Sequence, residues 1–263
     1  MKSRVPLTRF IALGWIFSWI SFSAVCWFRG FLHPEATDLL SHLERSLALR
    51  FDAFGRELLT LTASSSIVSI LVSTLAVSLS CGIALLVGGL ISLSEGKLSQ
   101  LVERLIEGLL AFPSLLLALS WAAIRGPGWS TLLFALLIGN IPSLTRFVTV
   151  RARELAQEEY VLAARSYGAS SSRILRKHLS PALVRLLWLK IPSLLSHALI
   201  AEASLTFLGV GAPIGTDTWG SLLAQGKDYL IEAPHISLEA GLPLVLSVLA
   251  LQRLSTPQHP IKR

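Results

Sequence analysis

Long apolar runs alternate with short polar segments along most of the 263-residue chain. A helix needs about 20 apolar residues to cross a bilayer, and six of the runs are about that wide. The runs show no sustained alternation with a period of two, so they predict membrane-spanning helices and not the strands of a barrel. The six predicted spans are residues 10–28, 67–93, 106–124, 131–150, 183–208 and 237–254.

Polar residues and prolines interrupt some of these spans. Glu107 and Gly108 interrupt the start of the third span, and the sixth span is short and contains Glu239. A proline inside a helix frees a backbone carbonyl, which in lipid must find a partner on a neighbouring helix. Kinked helices packed in a bundle are one interpretation, and simple tolerance of proline in membrane helices is the other. The prolines concerned are Pro113, Pro142, Pro192 and Pro243.

Composition agrees with a membrane protein and excludes several other classes. Apolar residues make up 52% of the chain, charged residues only 15%, and the mean hydropathy is +0.64. A soluble domain carries roughly 25% charged residues, and a disordered chain is far less apolar. Two cysteines in the whole chain also exclude a disulfide-rich secreted scaffold. The predicted fold class is therefore an all-α membrane protein with about six transmembrane helices.

Membrane topology accounts for the net charge of +7. Cytoplasmic segments of membrane proteins are enriched in Lys and Arg. With a cytoplasmic N-terminus, 17 of the 23 basic residues lie inside, which places both termini in the cytoplasm. Nine of these residues lie between Arg146 and Lys190, the largest cytoplasmic segment. The first run resembles a signal peptide, but its 19 residues exceed the roughly 7 to 15 of a signal core, so we interpret it as an uncleaved anchor.

The chain lacks the motifs of the common catalytic classes. Neither of its two Gly-Lys pairs belongs to a phosphate loop, and no metal-ligand spacing occurs, so we expect no catalytic residue, cofactor or metal in this chain. Ser193 and His197 are four residues apart and could share a helix face, so an intramembrane serine hydrolase stays an alternative. In the same span Glu202 either faces a cavity or partner, or bonds to a neighbouring helix.

The large cytoplasmic segment predicts a helix, a glycine turn and a second helix. Residues 154–167 form an amphipathic pattern, and Gly168 is placed to end that helix with a left-handed cap. Ser170 could then cap a second helix that reaches residue 178. Two aromatic and two small residues share one face of the first helix, which either docks another protein or rests on the helix bundle. They are Tyr160, Ala163, Ala164 and Tyr167.

The stretch EEYVLAARSYGASSSRILRKHLSPAL resembles the EAA loop of ABC-importer permeases. Two alanines, the turn glycine and the final proline match the family pattern at the right spacing, whereas its Glu, Ile and Leu are replaced. The matching residues are Ala163, Ala164, Gly168 and Pro181, and the replacements are Leu162, His178 and Ser180. Four further stretches narrow the resemblance to the C-type permease subunit of the peptide/nickel importer group. They are FDAFGRELL, LLAFPSLLLAL, AEASLTFLGVG and TWGSLLAQGKDYL.

The resemblance implies a type I ABC-importer permease fold with a cytoplasmic EAA coupling loop at about residues 151–182. It divides the chain into an N-terminal anchor helix with the extracytoplasmic stretch that follows it (1–60), a permease core (61–254) and a cytoplasmic tail (255–263). The implied protein partners are a homologous B-type permease, two ATPase subunits that carry ATP and Mg²⁺, and an extracytoplasmic solute-binding protein. The chain would lie in the lipid of the bacterial inner membrane, and no nucleic acid is implied as a partner. The implied cargo is di- or oligopeptide, and a non-transporting scaffold related to permeases is the remaining alternative.

Two sets of site residues are hypotheses that combine the residue patterns with this resemblance. The first set would couple the permease to an ATPase. The second would contact the binding protein or line the transport pathway, and the alternative for the outer loop is a purely structural lid. The coupling residues are Tyr160, Ala163, Ala164, Tyr167, Gly168 and Pro181. The outer residues are Glu202, Asp217, Trp219, Asp228 and Tyr229.

Overall fold

A computed structural model describes residues 7–32, 52, 56–94, 96–213 and 215–255. The elements formed by these residues are helices, which confirms the predicted all-α class. They are α1 (Leu7–Leu32), α2 (Leu58–Leu93), α3 (Lys97–Ala111), α4 (Ser114–Arg125), α5 (Trp129–Ala156), α6 (Glu159–Ser166), α7 (Ser171–Ile174), a π-helical turn (Leu175–Leu179), α8 (Ser180–Phe207), α9 (Trp219–Lys227) and α10 (Pro234–Ser255).

Five helices in the described part of the chain are long and apolar enough to cross a membrane. They correspond to the first, second, fourth, fifth and sixth predicted spans, and they keep low charge over at least 18 residues, as a hydrocarbon environment requires. The fifth is longer than predicted, because α7, the π-helical turn and α8 form one helix of 37 residues. The spanning helices are α1, α2, α5, this composite helix and α10.

The third predicted span is not one straight helix but falls on a bent helix pair, and with this pair counted as one broken span the described residues have the six predicted spans. Helices α3 and α4 meet at an angle of 89°. Phe112 between them has an extended backbone (φ −94°, ψ 136°), because the ring of the following Pro113 disfavours helical geometry there. The kink predicted at Pro113 is thereby confirmed. Helix α4 has 12 residues and measures about 18 Å, shorter than the roughly 30 Å of hydrocarbon that a straight span crosses.

The chain folds as two compact units, and each unit is built from segments that are not consecutive in the sequence. The first unit contains α1, the starts of α2 and α5, most of α8, and α9 and α10. The second contains the rest of α2, α3, nearly all of α4, most of α5, α6, α7 and the start of α8. The first comprises residues 1–74, 125–132 and 192–263, and the second comprises 75–124 and 133–191. The domain boundaries expected at 60 and 254 stay a prediction.

In the second unit, α2 and α5 pack closely at Gly88. A Cβ atom built at Gly88 would lie 2.9 Å from the backbone oxygen of Thr145 and 3.0 Å from the Cβ of Val148. The hydroxyl of Thr149 also donates to the Gly88 carbonyl at 3.4 Å. Small residues allow this approach, which dispersion and interhelical hydrogen bonds stabilise in membranes.

Replacing Gly88 with leucine should therefore destabilise the protein. The side chain would have to displace α5 backbone, and overpacking of this kind costs about 1–3 kcal/mol. The matched control is Gly82→Leu in the same helix, because a Cβ at Gly82 meets no atom within 4 Å. The thermal midpoint of the detergent-solubilised protein should fall for Gly88→Leu only, and an equal fall for both variants would contradict the close packing of α2 and α5.

The first unit has a small apolar core around Trp219 at the start of α9. The indole is fully buried and packs with residues of α8 and α10. Burial of an aromatic side chain of this size is a large apolar contribution to the free energy of folding. The other buried members of the core are Leu199, Ala203, Leu244 and Val248.

Candidate functional site

The amphipathic helix predicted over residues 154–167 is two helices, so the prediction is wrong in its first part. Helix α5 continues past residue 154, and α6 begins after a tight turn. Glu158 has an extended backbone (φ −65°, ψ 142°), and its carbonyl accepts the N–H groups of Val161 (2.9 Å) and Leu162 (3.0 Å), which starts α6. The turn brings Val161 into the interior, where it is fully buried. Such burial stabilises the attachment of α6 by about 1.5–3 kcal/mol.

Gly168 ends α6 with the left-handed cap that the sequence predicts. Its φ is +79°. The Gly168 N–H donates to the Arg165 carbonyl (3.0 Å) and the Ala169 N–H donates to the Ala164 carbonyl (3.1 Å), which are the two hydrogen bonds of a Schellman motif. A residue with a Cβ atom is disfavoured in this conformation by roughly 1–2 kcal/mol. The glycine therefore sets the direction in which the chain leaves α6.

The second helix predicted in this loop begins where predicted but does not end at residue 178. Ser170 occupies the N-cap position with an extended backbone, although its hydroxyl makes no capping hydrogen bond. Helix α7 then continues through the π-helical turn into α8. The short helix after the glycine turn is thus the beginning of a membrane span.

We call Tyr160, Ala163, Ala164 and Tyr167 the α6 face. Three of these residues are exposed, Tyr167 at 92% and Tyr160 at 49%, and Ala164 is half-buried. The alternative in which this face rests on the helix bundle is therefore wrong. The Tyr160 ring lies 6.1 Å from the imidazole of His178, and Pro181 is exposed at the start of α8. The structure places four of the predicted coupling residues on one helix and Gly168 at its end, and it places Pro181 on α8.

Charged residues lie within α6 and in the segments that precede and follow it. An ion pair between Glu103 and Arg153 joins α3 to the end of α5, and Arg151 pairs with Glu154 at 2.6 Å. Ion pairs as exposed as these contribute little to stability, so the position of α6 depends mainly on its buried valine and its glycine cap. Further exposed basic residues are Arg165, Arg173, Arg176 and Lys177.

We call residues 208–213 and 215–233 the outer segment. Within it Trp219 is fully buried, which contradicts a direct contact of this side chain with a binding protein, whereas a role of Trp219 in the pathway stays a prediction. Its backbone N–H donates to the hydroxyl of Ser69 (3.1 Å) and its indole N–H donates to the carbonyl of Thr62 (3.2 Å), both on α2. A Cβ atom at Gly220 would lie 2.6 Å from the Ala203 carbonyl oxygen, so the start of α9 packs directly against the backbone of α8.

Asp217 belongs to an ionic cluster that joins the outer segment to the residues before α2. Arg56 pairs with Asp52 (2.7 Å) and with Asp217 (3.2 Å), and its guanidinium also donates to Gln225 on α9 (3.0 Å). The Asp52 side chain is almost fully buried. Arginine suits this role because its planar fork donates in several directions at once. The cluster ties α9 to the start of α2 at a second point.

The remaining outer residues differ in exposure. Asp228, which follows α9, is exposed, and Tyr229 is half-buried. Glu202 is fully buried in α8, close to Thr206. The structure therefore separates the predicted outer residues into a pair after α9, one exposed and one half-buried, and three residues that lie among the contacts of α9 with α2 and α8.

The residues of the alternative serine hydrolase do not form a nucleophile and base. The Nδ1 atom of His197 lies 2.6 Å from the backbone carbonyl oxygen of Ser193, not from its hydroxyl. The hydroxyl of Ser196 donates to the same carbonyl (2.8 Å), and that of Ser204 donates to Ile200 (2.7 Å). Such bonds to the preceding turn are usual for serine inside a helix. Among the described residues, no group of three His, Cys, Asp or Glu is placed to hold a metal ion.

One family of known proteins matches more than half of the chain. It is described as the binding-protein-dependent transport system inner membrane component, and it matches residues 80–257. The chain belongs to this family. It is a transmembrane permease subunit, and the matched region runs from within α2 through α6 and the outer segment to the end of α10.

Two known proteins are similar to this permease over the same length. A putative peptide transport system permease protein of Brucella suis is 35% identical over 203 residues, which cover 76% of this chain and 67% of the relative. The glutathione transport system permease protein GsiD of Escherichia coli is 32% identical over 203 residues, which cover 77% of this chain and 67% of the relative. The resemblance to the permeases of peptide importers is confirmed by these relatives.

The residues that sequence reasoning missed in this permease are Asp52 and Arg56. They lie in the stretch FDAFGRELL, which pointed to the family but to no role. The partner Asp217 is 161 residues away along the chain. The only signal in the sequence for this ion pair was the opposite charge of Arg56 and Asp217, in two segments that were both expected on the outer side of the membrane.

Proposed function

We propose that this permease is one transmembrane subunit of an ATP-driven importer of di- and oligopeptides. Membership of the binding-protein-dependent family supports import with a solute-binding protein, and the peptide and glutathione transport named for the two relatives support peptide-like cargo. A homologous B-type permease completes the pathway, and two separate ATPase subunits hold ATP and Mg²⁺. The permease itself supplies the transport pathway and the helices whose movement opens it.

The same proposal places both termini in the cytoplasm of a bacterial cell. The support is the distribution of basic residues, 17 of 23 on the side of the termini and of α6. In this orientation α6 meets the ATPases and the outer segment meets the binding protein. Asp228 and Tyr229 are the contact candidates there, since the structure buries Trp219.

The exposed α6 face is the observation that carries the coupling part of the proposal. Two aromatic side chains beside two alanines form a surface that a groove on another protein can approach closely. Helix α6 follows α5 directly and precedes the composite helix that contains α8. When ATP closes the ATPases, their movement of α6 is therefore passed along the chain to two membrane spans, which shifts the balance between inward-open and outward-open states.

Peptide uptake by whole cells tests this function. Cells that lack the permease should lose ATP-dependent uptake of labelled di- and oligopeptides, and the parent chain should restore it. A tagged permease purified from these membranes should retain a second permease and an ATPase. Restored uptake of a different solute, with none for peptides, would contradict the cargo. Stable partners without any ATP-dependent uptake would contradict transport and favour the scaffold.

A further inference from the structure

Glu202 is a fully buried carboxyl group near the C-terminal end of α8. Its Oε1 atom accepts a hydrogen bond from the hydroxyl of Thr206 at 3.1 Å. The hydroxyls of Ser69 on α2 and Thr218 before α9 lie beside the same carboxyl group, although Oε2 forms no hydrogen bond of normal length with the described residues. An ionisable group in a membrane span is costly, and its neighbours usually show why it is there.

All three hydroxyls around Glu202 also accept a backbone N–H from the outer segment. The pairs are Thr206 with Ala212 (3.3 Å), Ser69 with Trp219 (3.1 Å) and Thr218 with Ser221 (3.2 Å). A hydroxyl group has one proton, and after accepting an N–H it still has that proton to donate. A carboxylate has only acceptor oxygens. Glu202 thus lies beside three hydroxyls that each accept a backbone N–H of the outer segment, and it is the acceptor for one of them, Thr206.

The attachment of α9 consequently has an apolar part and a polar part. The apolar part is the buried indole of Trp219, which also bonds to Thr62. The polar part is the set of hydroxyls around Glu202. The next residue, Ala203, has the carbonyl oxygen against which Gly220 packs. Removing Glu202 would take the acceptor from the Thr206 hydroxyl in this buried polar group, and an unpaired buried polar group is costly.

We propose that Glu202 is a positioning residue that holds α9 against α2 and α8, and that loosening this attachment changes how the outer segment opens during transport. The first half of the proposal depends only on the contacts in the first unit. The second half rests on the proposed transport function.

The accessibility of Leu222 tests the first half. This residue of α9 is 2% exposed, and Leu222→Cys would report release of the helix in a chain whose natural cysteines, Cys26 and Cys81, are replaced by alanine. With a membrane-impermeant maleimide, Glu202→Leu should raise the labelling rate at least about tenfold, because local opening exposes sites that are protected in the closed state. Glu202→Gln keeps an acceptor oxygen and should stay within about threefold of the parent.

The matched control is Ser204→Ala, an exposed position on α8 whose hydroxyl, among the described residues, bonds only to Ile200 of its own helix. It should leave the labelling rate unchanged. A second reporter, Leu132→Cys at a fully buried position of α5, should stay protected in Glu202→Leu. Unchanged labelling at 222, equal labelling in the leucine and glutamine variants, or labelling at both reporters would overturn the positioning role.

Peptide uptake by the same variants tests the second half. Glu202→Leu should lower uptake, and Glu202→Gln and Ser204→Ala should preserve it. Normal uptake in Glu202→Leu would overturn the link between the attachment and transport. A parent protein that imports no peptide but shows the expected labelling would refute the transport function and support the attachment.

Discussion

Replacing Ala164 with arginine should abolish ATP-driven uptake while the permease stays folded in the membrane. Ala164 lies within the α6 face, where a long charged side chain would keep a docking groove from closing over Tyr160 and Tyr167. Loss of a central docking contact commonly costs 2 kcal/mol or more, so uptake and stimulated ATP hydrolysis should fall below about a tenth of the parent values. Both quantities are measured in the reconstituted complex.

Two further variants separate docking from general damage. Gly168→Val should also lower uptake, because a β-branched residue disfavours the φ of +79° that orients the end of α6. Ser166→Arg adds the same charge and bulk as Ala164→Arg at an exposed position outside the α6 face, and uptake should remain near the parent level. Normal transport in Ala164→Arg, or equal loss in Ser166→Arg, would contradict coupling through this face.

Replacing Trp219 with alanine should have the largest effect on stability. The indole is fully buried, packs with α8 and α10, and donates a hydrogen bond to the Thr62 carbonyl. Removing a buried aromatic side chain costs about 3–5 kcal/mol, because it loses apolar contacts and leaves a cavity. The lost hydrogen bond adds to this cost, although the Thr62 carbonyl keeps the Ser65 hydroxyl as a donor.

The matched control for this variant is Trp188→Ala on α8, whose indole is 71% exposed. Its free energy of unfolding should change by less than about 1 kcal/mol, since few protein contacts are removed. Thermal unfolding in detergent, followed by intrinsic fluorescence, compares the two. Similar midpoints for Trp219→Ala and the parent would contradict the buried position of Trp219.

The parts of the fold that depend on local chemistry could be predicted from the sequence. Run length predicts the spanning helices, because each must bury its backbone polar groups over the width of the bilayer. Gly168 could be predicted as a helix cap, because only the glycine conformation and its two neighbouring hydrogen bonds are involved. The exposure of the α6 face followed only from the structure, where Val161 takes the buried position.

Other features depend on residues that are distant in the sequence. The bend before Pro113 was anticipated, but not that it would turn α3 and α4 to 89°. The amphipathic pattern continues through the break between α5 and α6, so periodicity alone did not reveal the turn at Glu158. The burial of Trp219 and the ion pairs of Arg56 arise from tertiary contacts between segments more than 150 residues apart.

Photo-crosslinking from position 163 tests the central claim most directly. A benzophenone maleimide on Ala163→Cys, in a chain with Cys26 and Cys81 replaced by alanine, would be irradiated in membranes that contain the assembled importer. The matched control is Ile231→Cys, which is 97% exposed in the outer segment. We expect a covalent product with the ATPase from position 163 and none from position 231. An ATPase product from position 231, or none from position 163, would contradict the proposed coupling.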